Sequence, residues 1–271
     1  MSDKPIGIFD SGIGGLSVLK YIRASLPNEQ LLYFADSGYA PYGGKTEDEV
    51  VARSLAIAEF LMQYGTKALV VACNTATAAA IKALRARYPD IPLVGVEPGL
   101  KPAAALTKTG SVGVLATKGT LASEKFRLLR EQVSAATNVQ FLPQACIGLA
   151  DQVEKGELQS AETAILLRRY IEPLIEQGAD TLVLGCTHYP FVLPLIEEIV
   201  AHLTSRPVAI VDTGEPIARQ LVRLLSERGL LRQEGPGKIA AFTTGSETAL
   251  KTAFSRLLHL ATPVTQVGAA G

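Results

Sequence analysis

Two cysteines occupy the same kind of position in this chain. In VVACNTATAAA, Val70 to Ala80, Cys73 follows a short apolar run and precedes small residues that open a helical pattern. In LVLGCTHYPFV, Leu182 to Val192, Cys186 does the same, with Thr187 and His188 directly behind it. A thiol at a helix N-terminus lies beside unsatisfied N–H groups, so it ionises more readily than a free cysteine with its pKa of about 8.5. One such cysteine alone reads as a small buried apolar residue. Two at matching strand-to-helix turns point to a pair of thiols that exchange protons.

Paired thiols suit one reaction in particular. Inverting a carbon centre by proton transfer needs a base on one face and an acid on the other, with the roles exchanged in reverse. One side chain cannot easily reach both faces, whereas one thiolate and one thiol suit the task. The Cα proton of an amino acid is far less acidic than a thiol, so such a site must also stabilise a carbanionic transition state. Oriented donors at Asn74, Thr75 and Thr187 can hold a carboxylate and spread that charge. His188 is either a proton partner for Cys186 or a cap or surface residue. Asp10 closes the first strand just before SGIGG. It either caps the following helix or serves as a proton acceptor beside Cys73, if the first and third strands are neighbours. Glycines at 12, 14 and 15 let backbone approach a ligand closely. No lysine sits in a recognisable pyridoxal-phosphate setting.

These residues need a scaffold, and the apolar pattern supplies one. Short runs without period-2 alternation fall at Ile6–Phe9, Gln30–Phe34, Ala68–Val71, Leu93–Val96, Val112–Leu115, Val139–Leu142, Thr181–Leu184, Val208–Val211 and Ile239–Phe242. Such runs suit strands buried on both faces. Helical patterns such as Glu47–Gln63 and Ala161–Gln177 lie between them, which argues an α/β fold with mostly parallel sheets. Ligands in such folds sit beyond the carboxyl ends of the strands. FDSGIGG, YAPYGGKT, ACNTAT and GCTHYP all fall at such ends and expose backbone N–H groups.

A faint internal repeat runs through the chain. IGIFDSGIGG aligns with VGVLATKGTL, placing Gly7 over Gly113 and Ser11 over Thr117. ALVVACNTATAAA aligns with TLVLGCTHYPFVL, placing Cys73 over Cys186 and Thr75 over His188. Two similar doubly wound domains follow, residues 1–97 with 208–271 and residues 98–207, the first completed by the C-terminal segment. The tail after His259 reads as partly loose.

Bulk composition narrows the function. The 271 residues, 48% hydrophobic, can bury a sizeable core, and 26 basic residues balance 26 acidic ones. Nothing in that balance favours nucleic acid or an anionic membrane surface. No window approaches the length of a membrane-spanning helix, and the start lacks a signal-peptide core. The expectation is a soluble, cytoplasmic protein. Three cysteines (Cys73, Cys146 and Cys186) and three histidines without metal-ligand spacing make a disulfide framework or zinc site improbable. Cys146 reads as structural.

Taken together, DSGIGG, APYG, CNTAT and GCTHYP resemble the cofactor-independent glutamate racemases of bacterial cell-wall synthesis, over nearly the whole chain and in order. The resemblance implies two α/β domains related by approximate two-fold symmetry, with the active site at their interface. It implies interconversion of L- and D-glutamate without cofactor or metal, supplying D-glutamate to peptidoglycan. It makes Cys73 the base for D-glutamate and Cys186 the base for L-glutamate, assisted by Asp10 and His188. Asp10, Ser11, Tyr42, Gly43, Asn74, Thr75, Thr187 and His188 fall on substrate-contacting positions. Glu154, in QVEKG, matches a further assisting glutamate, or is an exposed helical residue. The resemblance also implies a homodimer. Some relatives need a peptidoglycan-precursor activator, and no motif here decides that point.

Three other readings remain at this stage. GIGGLS, Gly12 to Ser17, nearly makes a dinucleotide-binding fingerprint, and Asp36 ends the second strand where a ribose-binding acid would sit. Against this, Asp10 would bring a carboxylate close to a pyrophosphate. A cysteine-nucleophile amidohydrolase would use Cys186 with His188 but gives Cys73 no role. A non-enzymatic module would bind glutamate without exchanging its Cα proton.

Overall fold

The structure is a computed structural model that describes residues 3–268. Two compact units emerge, Met1–Val96 with Gly214–Gly271, and Glu97–Thr213.

The first unit is built on a parallel sheet whose central strand, β1 (Ile6–Asp10), is wholly buried. β2 (Leu31–Ala35) pairs with it on one side and β3 (Ala68–Val71) on the other, with β4 (Leu93–Gly95) beyond β3. The second unit repeats this plan. β5 (Ser111–Ala116) is central, flanked by β6 (Gln140–Ala145) and β7 (Thr181–Gly185), with β8 (Ala209–Val211) beyond β7. β9 (Ile239–Thr243) and β10 (Val264–Gln266) extend the first sheet outward from β2, giving the order β10-β9-β2-β1-β3-β4 against β6-β5-β7-β8. Every pairing is parallel, so each strand needs a crossover, and the helices between strands supply it.

The internal repeat has a packing basis. Gly7 faces Leu69 in the register of the first sheet, and Gly113 faces Leu182 in the second. A Cβ at Gly7 would lie 3.0 Å from a Leu69 methyl carbon, and one at Gly113 would lie 2.7 Å from the corresponding methyl of Leu182. Each central strand thus carries a glycine where the neighbouring leucine fills the space.

Two boundaries differ from the sequence expectation. Residues 208–213 belong to the second unit, because β8 hydrogen-bonds along β7 as its edge strand and the chain returns only at Gly214. Glu97 also belongs there, ion-paired to Lys125 at 2.8 Å. The tail is more ordered than expected: β10 pairs with β9 and buries Val264. Residues 269–271 of that tail lie outside the described residues.

The helix Glu47–Gln63 shows how local sequence phases an element. Thr46 accepts from the Glu49 N–H at 3.3 Å, and Glu49 accepts from the Thr46 N–H at 2.8 Å, a reciprocal capping box. Three acidic residues in the first turn complement the helix dipole. Its inward stripe carries Val50, Ser54, Ile57 and Leu61, with Arg53 in the same stripe.

Candidate active site

In each unit the chain order reverses at the central strand, and ligands in such sheets bind at that reversal. The first unit places Asp10 and Cys73 there, at the ends of the adjacent strands β1 and β3. The second places Cys186 just beyond β7.

Cys73 is the N-cap of the helix Asn74–Arg87. Its extended backbone lets Sγ turn back and accept the Ala76 N–H at 3.4 Å. The sulfur does the work of the usual Ser or Asp cap, and positive partial charge lies beside it. The Cys73 thiol also donates to Ser11 Oγ at 3.8 Å, and Ser11 donates to Asp10 Oδ1 at 3.3 Å. Asp10 Oδ1 receives the Gly12 N–H at 2.7 Å. A hydroxyl therefore links the first thiol to a buried carboxylate.

The glycine turn after β1 is tightly packed. Tyr33 donates its hydroxyl to the Gly12 carbonyl at 2.7 Å, and a Cβ on Gly15 would come within 2.7 Å of Asp10 Cβ. Asp10 and Tyr33 thus account for this glycine without a dinucleotide. Asp36 is likewise unsuited to a ribose: it is fully buried, and Tyr42, Arg53 and Thr244 all donate to its carboxylate.

Two further groups adjoin Cys73. Tyr42 belongs to the same buried apolar cluster as Cys73. Burial, then the Asp36 charge and the hydrogen bond to it, push the Tyr42 phenol far above its ordinary range, so it stays neutral. Asn74 opens the helix with a side chain whose residue is only 3% exposed, and neither its Oδ1 nor its Nδ2 finds a hydrogen-bond partner among the described residues. Buried amides are almost always paired, so this side chain has both donor and acceptor capacity left to offer. Thr75 follows it, buried, and Gly43 lies half-buried in the turn after Tyr42.

The second thiol has a different partner. Cys186 Sγ lies 3.6 Å from His188 Nδ1, and His188 Nε2 lies 2.6 Å from Glu154 Oε1. Glu154 ends the helix Leu149–Glu154, and its side chain is 22% exposed, turned to the imidazole rather than standing free in solvent. Burial works against an imidazolium, but hydrogen bonds to Cys186 and Glu154, with their charges, outweigh it and hold the His188 pKa well above the usual imidazole range. A doubly protonated ring donates from both nitrogens, one to the sulfur and one to the carboxylate. Thr187 is buried between Cys186 and His188. Cys146 is a third buried thiol, donating to the Gln144 carbonyl at 3.5 Å and pushed up by burial, so it stays protonated.

The sequence-derived residues therefore fall into two sets. Asp10, Ser11, Tyr42, Gly43, Cys73, Asn74 and Thr75 lie in the first unit, and Glu154, Cys186, Thr187 and His188 in the second. Sequence reasoning did not single out Arg53 or Thr244. The signal for Arg53 was present: the capping box fixes the helix phase and puts an arginine in the inward stripe, where it needs a buried acid.

A family model described as Asp/Glu/hydantoin racemase matches residues 16–221. The glutamate racemase of Pseudomonas paraeruginosa is 54% identical over 227 residues, covering 84% of this chain and 83% of that one. The chain belongs to this racemase family, among its glutamate racemases. Solved structures of the family agree. That of a Bacillus anthracis glutamate racemase isoform superposes with a TM-score of 0.88 at 34% identity, covering 98% of each chain. That of the Escherichia coli glutamate racemase, in complex with L-glutamate and the activator UDP-MurNAc-Ala, gives a TM-score of 0.81 at 31% identity, again over 98% of each chain. Among the described residues, no helix is long and apolar enough to cross a membrane.

Proposed function

We propose that this glutamate racemase inverts the Cα of glutamate with two thiols, Cys73 and Cys186, and without a cofactor. The observation that carries the reading is the matched placement of two cysteines. Each stands just past the strand beside its sheet's central strand, and each reaches a carboxylate through one intermediary, Ser11 for Cys73 and His188 for Cys186.

In one direction the Cys73 thiolate removes the Cα proton of D-glutamate, and the Cys186 thiol delivers a proton to the opposite face. In the other direction Cys186 is the base and Cys73 the acid. Each cycle ends with the two protonation states exchanged, so each thiol must be reset. Ser11 with Asp10 relays protons to and from Cys73, and His188 with Glu154 relays them to and from Cys186, which serves that reset. The His188 imidazolium offsets negative charge on Cys186. The helix N-terminus after Cys73 does the same for the first sulfur. Asn74, Thr75, Thr187, Tyr42 and Gly43 hold the substrate, and the buried amide of Asn74 finds its partner in bound glutamate.

Several finer points belong to the same proposal. The product D-glutamate serves peptidoglycan synthesis in the cytoplasm, and the enzyme is a homodimer. The E. coli relative, seen with L-glutamate and UDP-MurNAc-Ala, supports glutamate as substrate here and a nucleotide-linked peptidoglycan precursor as activator.

Changing either thiol tests the assignment. Cys73→Ala and Cys186→Ala should each cut racemisation by about a thousandfold or more, the range for losing a general acid or base, while circular dichroism shows an unchanged fold. Near-wild-type turnover in either variant would overturn it.

A further inference from the structure

Asp36 is a buried carboxylate that the two-thiol mechanism does not use. It closes the turn after β2, next to the proposed substrate residues, and is 0% exposed. Oδ2 accepts the Tyr42 hydroxyl at 2.5 Å and Arg53 Nε at 3.0 Å. Oδ1 accepts Arg53 Nη2 at 2.9 Å and the Thr244 hydroxyl at 2.8 Å. Each oxygen thus takes two donors, which fills the acceptor capacity of a carboxylate. A group so saturated cannot take a proton from substrate without breaking its own bonds. It acts through what it holds.

It holds the turn that carries Tyr42 and Gly43 at several points. Tyr42 is fixed by its hydroxyl. Tyr39 lies under the Arg53 guanidinium, 3.9 Å from ring centroid to Arg53 Cζ, while Arg53 grips Asp36 with two nitrogens. The Gly38 N–H donates to Thr244 Oγ1 at 3.0 Å, the same hydroxyl that donates to Asp36. A Cβ at Gly38 would stand 2.7 Å from the Thr244 carbonyl oxygen, so this close approach requires glycine. The Asp36 N–H itself donates to the Asp10 carbonyl at 3.0 Å, tying the cluster to the end of β1.

We propose that Asp36 is a positioning residue for the Cys73 half of the site: clamped by Arg53 and Thr244, it fixes Tyr42 and the 37–45 turn against which glutamate binds. The Tyr42 proton is committed to Asp36, which leaves its phenol oxygen only acceptor capacity towards the substrate, suited to an ammonium group. Burial and the Asp36 charge keep that phenol neutral, in keeping with this role. Thr244 enters from the C-terminal segment, so that segment serves the site as well as completing the sheet. The proposal rests on the reading that Tyr42 and Gly43 contact glutamate.

Two readouts test it on the full-length enzyme. The first is a double-mutant cycle of Asp36→Asn and Tyr42→Phe, followed by steady-state racemisation of both enantiomers. Each single variant should raise KM by about tenfold, the scale of one lost hydrogen bond to a charged group, with kcat changed less. The double variant should lose clearly less than the product of the two single losses, because both variants break the Tyr42–Asp36 bond. Multiplying effects, or a wild-type KM in Asp36→Asn, would overturn the proposal.

The second readout is amide hydrogen exchange in residues 37–45, which needs no turnover. Asp36→Asn and Thr244→Val should both speed exchange there while distant strands stay protected. Thr244→Val keeps the Asp36–Arg53 pair, so it answers the question even where Asp36→Asn does not fold. It should raise KM about threefold in the same direction, a fraction of the effect of losing a charged partner. Unchanged exchange and KM in Thr244→Val would refute the clamp. A wild-type enzyme that fails to racemise glutamate would instead refute the functional reading, leaving the exchange result to judge the clamp alone.

Discussion

His188 joins Cys186 to Glu154: its Nδ1 stands 3.6 Å from the sulfur and its Nε2 stands 2.6 Å from the carboxylate oxygen. The first unit carries a different linkage of the same length in residues, with the Ser11 hydroxyl between Cys73 and Asp10. One thiol is thus served by an ionisable ring and the other by a neutral hydroxyl. The two half-reactions should therefore respond differently to pH and to mutation.

Replacing Glu154 by Gln removes the carboxylate that favours the imidazolium. Turnover should fall about tenfold, less than for loss of a thiol, because the ring stays in place. Nitrogen chemical shifts of the His188 ring should show its pKa dropping towards the ordinary range. An unmoved ring titration would separate Glu154 from His188 function.

His188 also predicts a pH dependence of stability. Its pKa is raised on folding, so the folded state binds more protons between the unfolded value of about 6.5 and the folded one. The stabilisation is complete below pH 6.5 and is lost as pH rises through the folded pKa. Denaturant unfolding across that window should show wild-type stability falling with pH, and His188→Asn should flatten the slope. An equal slope in both proteins would show that the imidazolium is not the source.

Ser11→Ala interrupts the link between Cys73 and Asp10 while leaving the sulfur at its helix terminus. Turnover should fall about tenfold, with the Cα exchange of D-glutamate suffering more than that of L-glutamate. Proton NMR in deuterated water reads both. Equal losses in the two directions would mean that Ser11 acts by holding substrate.

Asn74→Ala tests the proposed substrate role of a buried amide that finds no partner among the described residues. The free protein should be as stable as wild type or slightly more so, since an unpaired buried amide is removed. KM for glutamate should rise about tenfold or more. A large fall in melting temperature with unchanged KM would make Asn74 structural.

The central-strand glycines predict a graded loss of stability. Gly113→Ala brings a Cβ to 2.7 Å from a Leu182 methyl and 2.8 Å from a Leu174 methyl, whereas Gly7→Ala meets nothing nearer than 3.0 Å. Overpacking of this kind costs about 1–3 kcal/mol, with Gly113→Ala towards the upper end. Thermal unfolding that ranks them in the reverse order would show that the second sheet yields more easily than the first.

Much of this architecture is legible before any coordinates. The runs that become β1 to β9 stand out chiefly because strands buried on both faces, such as β1, β3 and β7, need unbroken apolar sequence, and the cysteine turns follow from where those runs stop. β10 does not stand out: Val264–Gln266 is three residues long, follows Pro263 and buries only Val264. The return to the first unit is misplaced by a few residues because an edge strand such as β8 looks alike whichever sheet it joins. Glu154 stays ambiguous in sequence, since only the fold brings the end of its helix to a histidine 34 residues away. The Asp36–Thr244 link spans 208 residues and leaves no local pattern. Pairings of that range are decided by tertiary packing, whereas strands, caps and turns are decided by neighbours.

The most direct test of two thiols serving two faces follows the Cα proton itself. Wild-type enzyme is incubated with L-glutamate in deuterated water, and NMR with a chiral separation reads deuterium in each enantiomer at early times. Two bases predict that the D-glutamate formed carries solvent deuterium while the remaining L-glutamate keeps its original proton. A single base shuttling one proton between faces would leave the product largely undeuterated, and that result would contradict the account.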